Sequence, residues 1–239
     1  MSKVALVFPL AAGKTETEAR SISDMFAADP GAYWESRDRH GVTLERAYLQ
    51  TTPMGSFVVA YIESAKDFAT TIVGTLESDL DFDRKFIEMV KELHGVDLTQ
   101  PPQGPDPEVL ADWVNADDAT RSRGMAFTAP VAPGKTEAGR AFADEAFHRR
   151  VAEFADSRRE FSQRAELITL QPTPMGDVLN VYIEGTDPWA ANERFANSQR
   201  PYDVWFKAEL TKIFPDFVDF SVPVAGVIEI FDSETVPRP

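Results

Sequence analysis

The first half of this sequence is repeated in the second half, and this repeat constrains the fold more than any other feature. The segment Gly13–Glu16 (Gly-Lys-Thr-Glu) returns 121 residues later as Gly134–Glu137, and Thr52–Gly55 (Thr-Pro-Met-Gly) returns at the same shift as Thr173–Gly176. An ungapped alignment of 55 positions around these motifs contains 19 identities. Each copy has the size of a small domain and is too long for a solenoid repeat. The sequence therefore predicts a duplicated domain.

The repeat sets the expected domain limits. Residues 1–101 form the first predicted repeat and residues 124–239 the second. The stretch between them, residues 102–123, begins in a Pro- and Gly-rich run, so we expect a linker that contains a short helix ending near Asn115. The last strand of the first repeat is expected near Val96–Thr99.

Each copy shows the same order of predicted elements, β-α-β-β-α-β. Thr15 and Glu18 have the spacing of a capping box at the start of a helix. The Thr-Pro-Met-Gly turn separates two alternating runs, which indicates a β-hairpin. A second helical stretch follows, and a strand at Gly226–Phe231 is expected to close the second copy. This order is that of a ferredoxin-like (βαββαβ) unit, so we predict an α+β chain with two such units in tandem.

The strands of both hairpins have one wholly apolar face, which we assign to the helices because a half-covered sheet alternates with period two. In the first hairpin this face carries Ala47, Leu49, Val58, Ala60 and Ile62, and in the second it carries Ile168, Leu170, Leu179, Val181 and Ile183. The alternate faces carry Arg46, Tyr48, Gln50, Phe57, Val59 and Tyr61, and Leu167, Thr169, Gln171, Val178, Asn180 and Tyr182. A face rich in aromatic residues would promote aggregation if it were fully exposed to solvent. We therefore expect it to line an interior.

With its Pro133–Glu137 helix entry, its Ser157-Arg158 pair and its Gln171–Gly176 turn, the chain resembles the dimeric α/β-barrel superfamily, as a tandem, single-chain member of a bacterial branch. That resemblance implies that the two units form a pseudo-dimeric α/β barrel. The superfamily includes cofactor-free monooxygenases, isomerases and cyclases, haem enzymes and proteins without a known reaction. Fold alone does not choose among these activities.

The expected site is the inner, mixed face of the sheets. A tyrosine hydroxyl can donate to a carbonyl group or carry a proton, and histidine is the usual general base near neutral pH. The catalytic candidates are Tyr61, Tyr182 and His40. The candidates for substrate binding are Arg46, Tyr48, Gln50, Phe57, Gln171, Asn180, Arg37 and Arg158. We expect a small, partly aromatic or apolar metabolite as the ligand. The protein either only binds this metabolite or also catalyses a cofactor-independent isomerase, cyclase or monooxygenase reaction.

Structural explanations compete with several of these assignments. Arg37 and Arg158 could instead complement a helix dipole. Tyr61 and Tyr182 could be packed in the barrel interior without a chemical role. The Gly-Lys-Thr segments lack the earlier glycine of a phosphate-binding loop, since Phe8 and Ala129 stand there. The main alternative is a non-catalytic protein, either a ligand-binding module or an interaction partner whose barrel is filled by side chains. Haem binding is a weaker one that depends on one histidine, and we expect neither a cofactor nor a metal.

Net charge and composition argue against several classes of partner and of catalytic group for this chain. A net charge of −15 repels nucleic acid and anionic lipid, so neither is expected as a partner. The chain has no cysteine, which removes thiolate catalysis and cysteine-ligated metal centres. No apolar run reaches the ~20 residues of a membrane helix. We expect a cytoplasmic protein that is monomeric, because the internal repeat replaces a partner chain.

Overall fold

The structure is a computed structural model, and it describes residues 1–100, 104–118 and 120–239. The described elements are β1 (Ser2–Pro9), α1 (Glu16–Ala28), α2 (Pro30–His40), β2 (Val42–Thr52), β3 (Gly55–Ser64), α3 (Phe68–Leu76), α4 (Asp81–His94), β4 (Glu108–Val114), β5 (Arg123–Pro130), α5 (Thr136–Ala143), a π-helical turn (Asp144–Arg149), α6 (Val151–Glu160), β6 (Gln163–Thr173), β7 (Gly176–Gly185), α7 (Pro188–Asn197), α8 (Pro201–Leu210), β8 (Val227–Asp232) and a 3-10 turn (Ser233–Thr235). The predicted α+β class is confirmed.

The chain forms two compact units. The first contains Met1–Asp106 and Gly226–Pro239, and the second contains Pro107–Ala225. Each unit has a four-stranded antiparallel sheet, with strand orders β1-β3-β2-β8 and β4-β6-β7-β5. The predicted domain limit between residues 101 and 102 lies outside the described residues.

Local sequence signals place most helices where they were predicted. Thr15 and Glu18 form the expected capping box of α1. Asp29 caps α2, whose first residue is Pro30, so the helical stretch divides at Asp29 because proline is tolerated only in the first turn. Gly41 ends α2 in the left-handed conformation, with φ at 80°.

The fourth strand of each sheet comes from outside the repeat that supplies the other three: β8 lies in the second predicted repeat, and β4 lies in the predicted linker. β8 pairs with β2 of the first repeat, from Arg46 opposite Asp232 to Gln50 opposite Val227. The expectation that this strand closes the second copy is therefore wrong. Gly226 enters β8 with φ at 70°, and an added Cβ would lie 2.3 Å from the Thr51 carbonyl oxygen. Glycine is required there for both reasons.

Strand β4 replaces the short helix that the sequence predicted before Asn115. It pairs with β6, and a register shift between Val109 and Ala111 interrupts its alternation. Leu110 and Ala111 are therefore buried side by side. Two adjacent apolar residues do not fit a period of two, which is why the strand pattern was not recognised. The strand expected near Val96–Thr99 is also wrong, since residues 96–99 form no strand.

The core of each unit lies between its helices and the apolar face of its sheet, as the alternation predicted. In the first unit Leu49 and Val58 pack with Ala19 and Leu93 of the helices. In the second unit Ile168, Leu170 and Leu179 belong to one cluster with helix residues that include Phe142, Phe147, Phe154 and Phe206. Within the described residues, no helix is long and apolar enough to cross a membrane.

Candidate functional site

The sheet face opposite the helices carries a repeated tyrosine–glutamate pair. On β3 the Tyr61 hydroxyl donates to Glu63 Oε1 over 2.6 Å, and on β7 the Tyr182 hydroxyl donates to Glu184 Oε2 over 2.8 Å. All four residues are buried. Tyrosine and glutamate are two positions apart in each strand, so both point to the same face. The fold therefore repeats a buried phenol–carboxylate contact in both units.

In the first unit an arginine lies beside this pair, in the strand next to it. Arg46 of β2 is directly opposite Tyr61 of β3. Its Nε is 2.9 Å from Asp232 Oδ2, and it also pairs with Glu234. A buried guanidinium needs such carboxylate partners because its charge is costly to desolvate. Tyr48, Gln50 and Phe57 share this face by the same strand register.

In the second unit Thr169 and Asn180 stand at the positions of Tyr48 and Val59, and Gln171 stands at the position of Gln50. The Asn180 Nδ2 donates to Gln171 Oε1 over 3.0 Å and approaches Thr169 Oγ1 at 3.4 Å. Leu167 occupies the position of Arg46. The sheet faces of the two units therefore share their tyrosine–glutamate pair and differ in the groups beside it.

A second polar cluster lies on the helix side of the first sheet. The Ser36 hydroxyl donates to Asp83 Oδ1 over 2.5 Å, and His40 Nε2 lies 2.8 Å from Asp83 Oδ2. Arg37 Nη1 donates to Ser36 Oγ, and Arg37 Nε donates to Glu45 Oε2 over 2.7 Å. We name this set of five residues the first helix-side network. The aspartate lies between the serine and the histidine, so the serine hydroxyl donates to the carboxylate and not to an imidazole that would activate it as a nucleophile.

The second unit repeats the network with one replacement. Ser157 donates to Asp203 over 2.5 Å, and Arg158 Nε donates to Glu166 over 2.6 Å. Ser198 also donates to Asp203, at 2.6 Å, as its counterpart Ser78 does to Asp83, and Phe161 stands at the position of His40. We name Ser157, Arg158, Glu166, Ser198 and Asp203 the second helix-side network. Its conservation between the two copies indicates a role in holding the helices to the sheet.

The charges of the first network shift the pKa values of its members. Burial lowers the pKa of the Arg37 guanidinium, but Glu45, Tyr33 and Asp83 together raise it by more, so the net shift is upward. Burial raises the pKa of Asp83, but hydrogen bonds from Ser36, Ser78 and His40 outweigh burial and hold the pKa below its ordinary value. The aromatic rings of Phe26 and other residues surround the Arg37 guanidinium, with the Phe26 centroid 4.9 Å away. Both ions are thus stabilised as charged, structural groups.

The structure separates the predicted site residues into two sets. The sheet face contains Tyr61, Tyr182, Arg46, Tyr48, Gln50, Phe57, Gln171 and Asn180. The helix side contains Arg37, Arg158 and His40, each in a network described above. One sheet layer lies between the sets within each unit, so they do not converge on one site. The reason is that Arg37 and His40 belong to α2, which packs on the apolar face of the sheet.

Two sequence signals pointed to residues that the site prediction left out. Glu63 and Glu184 repeat with their tyrosines, and Asp83 and Asp203 repeat at a shift of 120. Pairing each repeated acid with the repeated Ser-Arg or tyrosine would have found the clusters. It would not have shown on which side of the sheet they lie.

The histidines occupy positions away from the sheet face. His40 contacts Asp83 on the helix side, and His94 Nδ1 lies 2.8 Å from the Pro9 carbonyl oxygen while its ring contacts Phe8. Burial lowers the pKa of His94. His148 is exposed in the π-helical turn. Across the residues for which positions are given, no group of three His, Cys, Asp or Glu side chains could hold a metal ion.

A half-open surface groove of about 290 Å³ lies elsewhere in the first unit, between α1 and β8. Its lining includes Arg20 and Asp24 of the helix and Ile230 of the strand. Neither Tyr61 nor Arg46 lines it. The groove is therefore separate from the predicted site.

Comparisons with known proteins give only a weak likeness in structure. No protein-family model matches the chain, and no curated protein matches it. A solved candidate monooxygenase from Fusobacterium nucleatum is 10% identical with a TM-score of 0.48, and 95% of this chain and 88% of that one are covered. An anthrone oxidase-like protein is 14% identical with the same TM-score and coverage. A candidate monooxygenase from Lactobacillus acidophilus is 10% identical with a TM-score of 0.49, covering 97% and 96%. At these values the likeness supports no argument about activity.

Proposed function

We propose that this protein binds a small, partly aromatic or apolar molecule that carries a carbonyl group, on the sheet face opposite the helices. The observation that carries the proposal is the repeated buried hydrogen bond from Tyr61 to Glu63 and from Tyr182 to Glu184. A few polar groups in an otherwise aromatic and apolar wall are typical of small-molecule sites. The apolar part of the ligand would contact residues such as Phe57 and Leu167.

The pair also suits proton transfer without a cofactor. A tyrosine hydroxyl is a donor and an acceptor at the same oxygen. While Tyr61 donates to Glu63, its oxygen can accept a proton from an acidic C–H or O–H of the ligand, and the phenol proton then moves to the carboxylate. Isomerase, cyclase and monooxygenase reactions on such ligands can all begin with this proton removal. We include cofactor-independent chemistry of this class in the proposal.

Closure of the two sheets into one pseudo-dimeric α/β barrel also belongs to the proposal. Its support is that each sheet has its helices on one face, while Tyr48, Tyr61 and Tyr182 on the opposite face are buried. Membership of the dimeric α/β-barrel superfamily stays a prediction, and so do the monomeric state and the cytoplasmic location.

A non-catalytic protein is the second candidate, and one contact favours it. Asn180 is held by Gln171 and Thr169, so on this part of the face the side chains satisfy one another. A face filled in this way needs no ligand. Haem binding has no comparable support, because His40 and His94 contact Asp83 and the Pro9 carbonyl.

Anthrone, an aromatic ketone, is a suitable probe of the proposal. Its affinity would be measured by calorimetry and by the thermal shift of the protein. A lost hydrogen bond of about 1–1.5 kcal/mol predicts that Tyr61→Phe weakens binding roughly 5- to 10-fold. Tyr202→Phe is the matched control, because this hydroxyl donates to the Ala146 carbonyl oxygen inside the helical layer.

Equal affinities of the wild-type protein and Tyr61→Phe would contradict the proposed contact. Absence of saturable binding of anthrone to the wild-type protein would favour the non-catalytic candidate.

A further inference from the structure

On the helix side of the first unit, a buried carboxylate orients a buried imidazole. His40 Nε2 lies 2.8 Å from Asp83 Oδ2, and the two residues are 3% and 0% exposed. Asp83 Oδ1 accepts from the Ser36 hydroxyl at 2.5 Å, so both carboxylate oxygens act as acceptors and His40 Nε2 carries the proton. Nδ1 is then the basic nitrogen, and it makes no hydrogen bond with any residue that the structure describes. We name this pair the His40–Asp83 dyad. A carboxylate that orients a histidine in this way is typical of a general base.

Helix α3 covers the basic nitrogen of the dyad. Gly74 of α3 packs against the imidazole, since a Cβ added to this glycine would lie 2.9 Å from His40 Nδ1. One turn earlier, the Thr71 hydroxyl lies 3.5 Å from the His40 carbonyl oxygen and 2.8 Å from the Ser64 hydroxyl. Nδ1 therefore faces α3, and a molecule from solvent can reach it only if α3 moves.

The residues of α3 hold this helix weakly. Five of its nine residues are β-branched and a sixth is Gly74, and all of these are poor helix formers. Only Thr71 of α3 is buried, while Val73 is 49% exposed. A helix this short depends on tertiary packing to persist, and α3 has little of it. We expect α3 to open locally while the rest of the first unit stays folded.

The second copy offers an internal comparison, because α7 is the counterpart of α3. Asp67 caps α3 and Asp187 caps α7 in the same way. However, α7 buries three residues, and Lys207 Nζ donates to three carbonyl oxygens at its C-terminal end over 2.6 to 3.3 Å. In the first copy Ile87 stands at the position of Lys207, so α3 receives no such cation. The helix over the dyad is therefore the less firmly attached of the two.

The base and the space beside it also occur only in the first copy. Phe161 stands at the position of His40, and Arg194 stands at the position of Gly74. The Arg194 guanidinium donates to the Phe161 carbonyl oxygen and so ties α7 to the end of α6. The first copy thus combines a histidine base, a glycine against its basic nitrogen and a weakly held helix above both.

We infer that the first unit contains a second acid–base site: α3 is a gate, and when it opens, His40 Nδ1 takes a proton from a small molecule with an acidic C–H, N–H or O–H bond. That bond breaks, its electron pair stays on the ligand, and the new N–H bond makes an imidazolium whose charge the Asp83 carboxylate balances. The site lies on the helix side of the sheet and does not use Tyr61. It is therefore separate from the sheet-face site proposed above.

Labelling of the full-length protein with diethyl pyrocarbonate tests the gate. This reagent transfers an ethoxycarbonyl group to an unprotonated imidazole nitrogen, and mass spectrometry reports the three histidines separately. The Val73 side chain is half-exposed, so Val73→Gly and Val73→Ala change helix propensity without disturbing the core. Labelling of His40 is expected to be about 5-fold faster in Val73→Gly than in Val73→Ala, with the wild-type protein between them.

Two controls accompany this series. His148 is exposed in the π-helical turn, so its labelling rate should be the same in every variant. Val204 of α8 is 45% exposed, close to Val73, and Val204→Gly and Val204→Ala should leave the labelling of His40 unchanged. Hydrogen exchange of the α3 amides should follow the same order as the labelling of His40. Equal labelling of His40 in Val73→Gly and Val73→Ala would show that α3 is not the gate and would overturn the inference.

Turnover of 5-nitrobenzisoxazole tests the base. When a base removes the acidic C–H proton of this probe, the ring N–O bond breaks and a coloured nitrophenolate forms. His40→Gln is expected to lower the turnover about 10-fold or more, because the general base is lost. Val73→Gly should turn the probe over about 5-fold faster than Val73→Ala, as in the labelling series. Tyr61→Phe should keep the turnover, since the sheet-face site is not involved.

Gly74→Ala provides a second variant if His40→Gln does not fold. Its methyl group would occupy the space against His40 Nδ1, so the turnover should fall while Asp83 and the imidazole remain in place. Turnover that is unchanged in both variants, or a wild-type rate no higher than that of buffer, would overturn the assignment of His40 as a base. Loss of turnover in Tyr61→Phe with no effect of His40→Gln would assign the reaction to the sheet face instead.

Discussion

Removal of the Arg158 guanidinium from the second helix-side network should destabilise the second unit strongly. The side chain is buried, and it donates to Glu166 at 2.6 and 3.2 Å and to the Ser157 hydroxyl at 3.1 Å. Glu166 and Asp203 are 5% and 0% exposed, so Arg158→Met leaves two buried carboxylates without their cation. Breaking one partner out of a buried ion pair costs about 3–5 kcal/mol. We expect a loss of this size.

Urea unfolding followed by tryptophan fluorescence is the appropriate assay. Three of the four tryptophans, Trp113, Trp189 and Trp205, belong to the second unit. Their signal should therefore report its unfolding, and the transition midpoint in urea should fall. A thermal scan should show a decrease in Tm on the order of 10 °C.

Two further variants make this prediction decisive. Arg159→Met removes the neighbouring arginine, which is half-exposed and pairs with Asp156 on the surface, so it should cost less than about 1 kcal/mol. Arg158→Met combined with Glu166→Leu removes the arginine and its principal carboxylate partner, and it should recover most of the loss because an apolar pair avoids the desolvation penalty. A loss below about 1 kcal/mol in the single variant, or no recovery in the double variant, would refute the reasoning.

Three other predictions concern the first unit. Gly226→Ala forces a side chain against the Thr51 carbonyl in a left-handed conformation, so hydrogen exchange in β8 should accelerate at least 10-fold; unchanged exchange would contradict the packing. Burial lowers the pKa of His94, so the stability due to its neutral form is complete above the unfolded pKa near 6.5 and is lost as pH falls towards the lower folded pKa. Tm should therefore fall between pH 7 and 5 more in the wild-type protein than in His94→Gln, and parallel curves would exclude this. Trp34→Phe loses the indole N–H bond to the Val236 carbonyl, so the Val236 amide, which is bonded to the Ser233 carbonyl, should exchange its hydrogen faster than in the wild-type protein. An equal exchange rate would show that the indole bond does not hold this segment.

The sequence predicted the helix starts, hairpin turns and apolar strand faces, because these features depend on local patterns that the two repeats share. The capping box at Thr15 and the hairpin turns are encoded by neighbouring residues, so they could be recognised without a structure. The apolar faces followed from alternation alone. The same alternation placed Tyr61 and Tyr182 on the opposite face, which the strand register confirms.

The pairing of the fourth strands could not be predicted in this way. A period of two predicts which face of β8 is buried, but it does not predict whether β8 pairs with β2 or with an edge strand of the second sheet, such as β5. The positions of Arg37 and His40 were missed for a related reason. Both lie in the last turn of α2, just before β2. The side of the sheet on which they lie depends on how α2 and α4 pack, because this packing brings Asp83 to His40, 43 residues away in the sequence.

The late position of β8 in the chain sets the order in which the two sheets can be completed during synthesis. The first sheet needs β8, so it has only three strands until the residues from Gly226 onwards have left the ribosome. The second unit, Pro107–Ala225, already has all its strands by then. At ~5–20 residues per second, the edge of β2 waits on the order of ten seconds for its partner. The half that is translated first is therefore the half that finishes folding last, and during that interval its unpaired edge is the place where association with another nascent chain can begin.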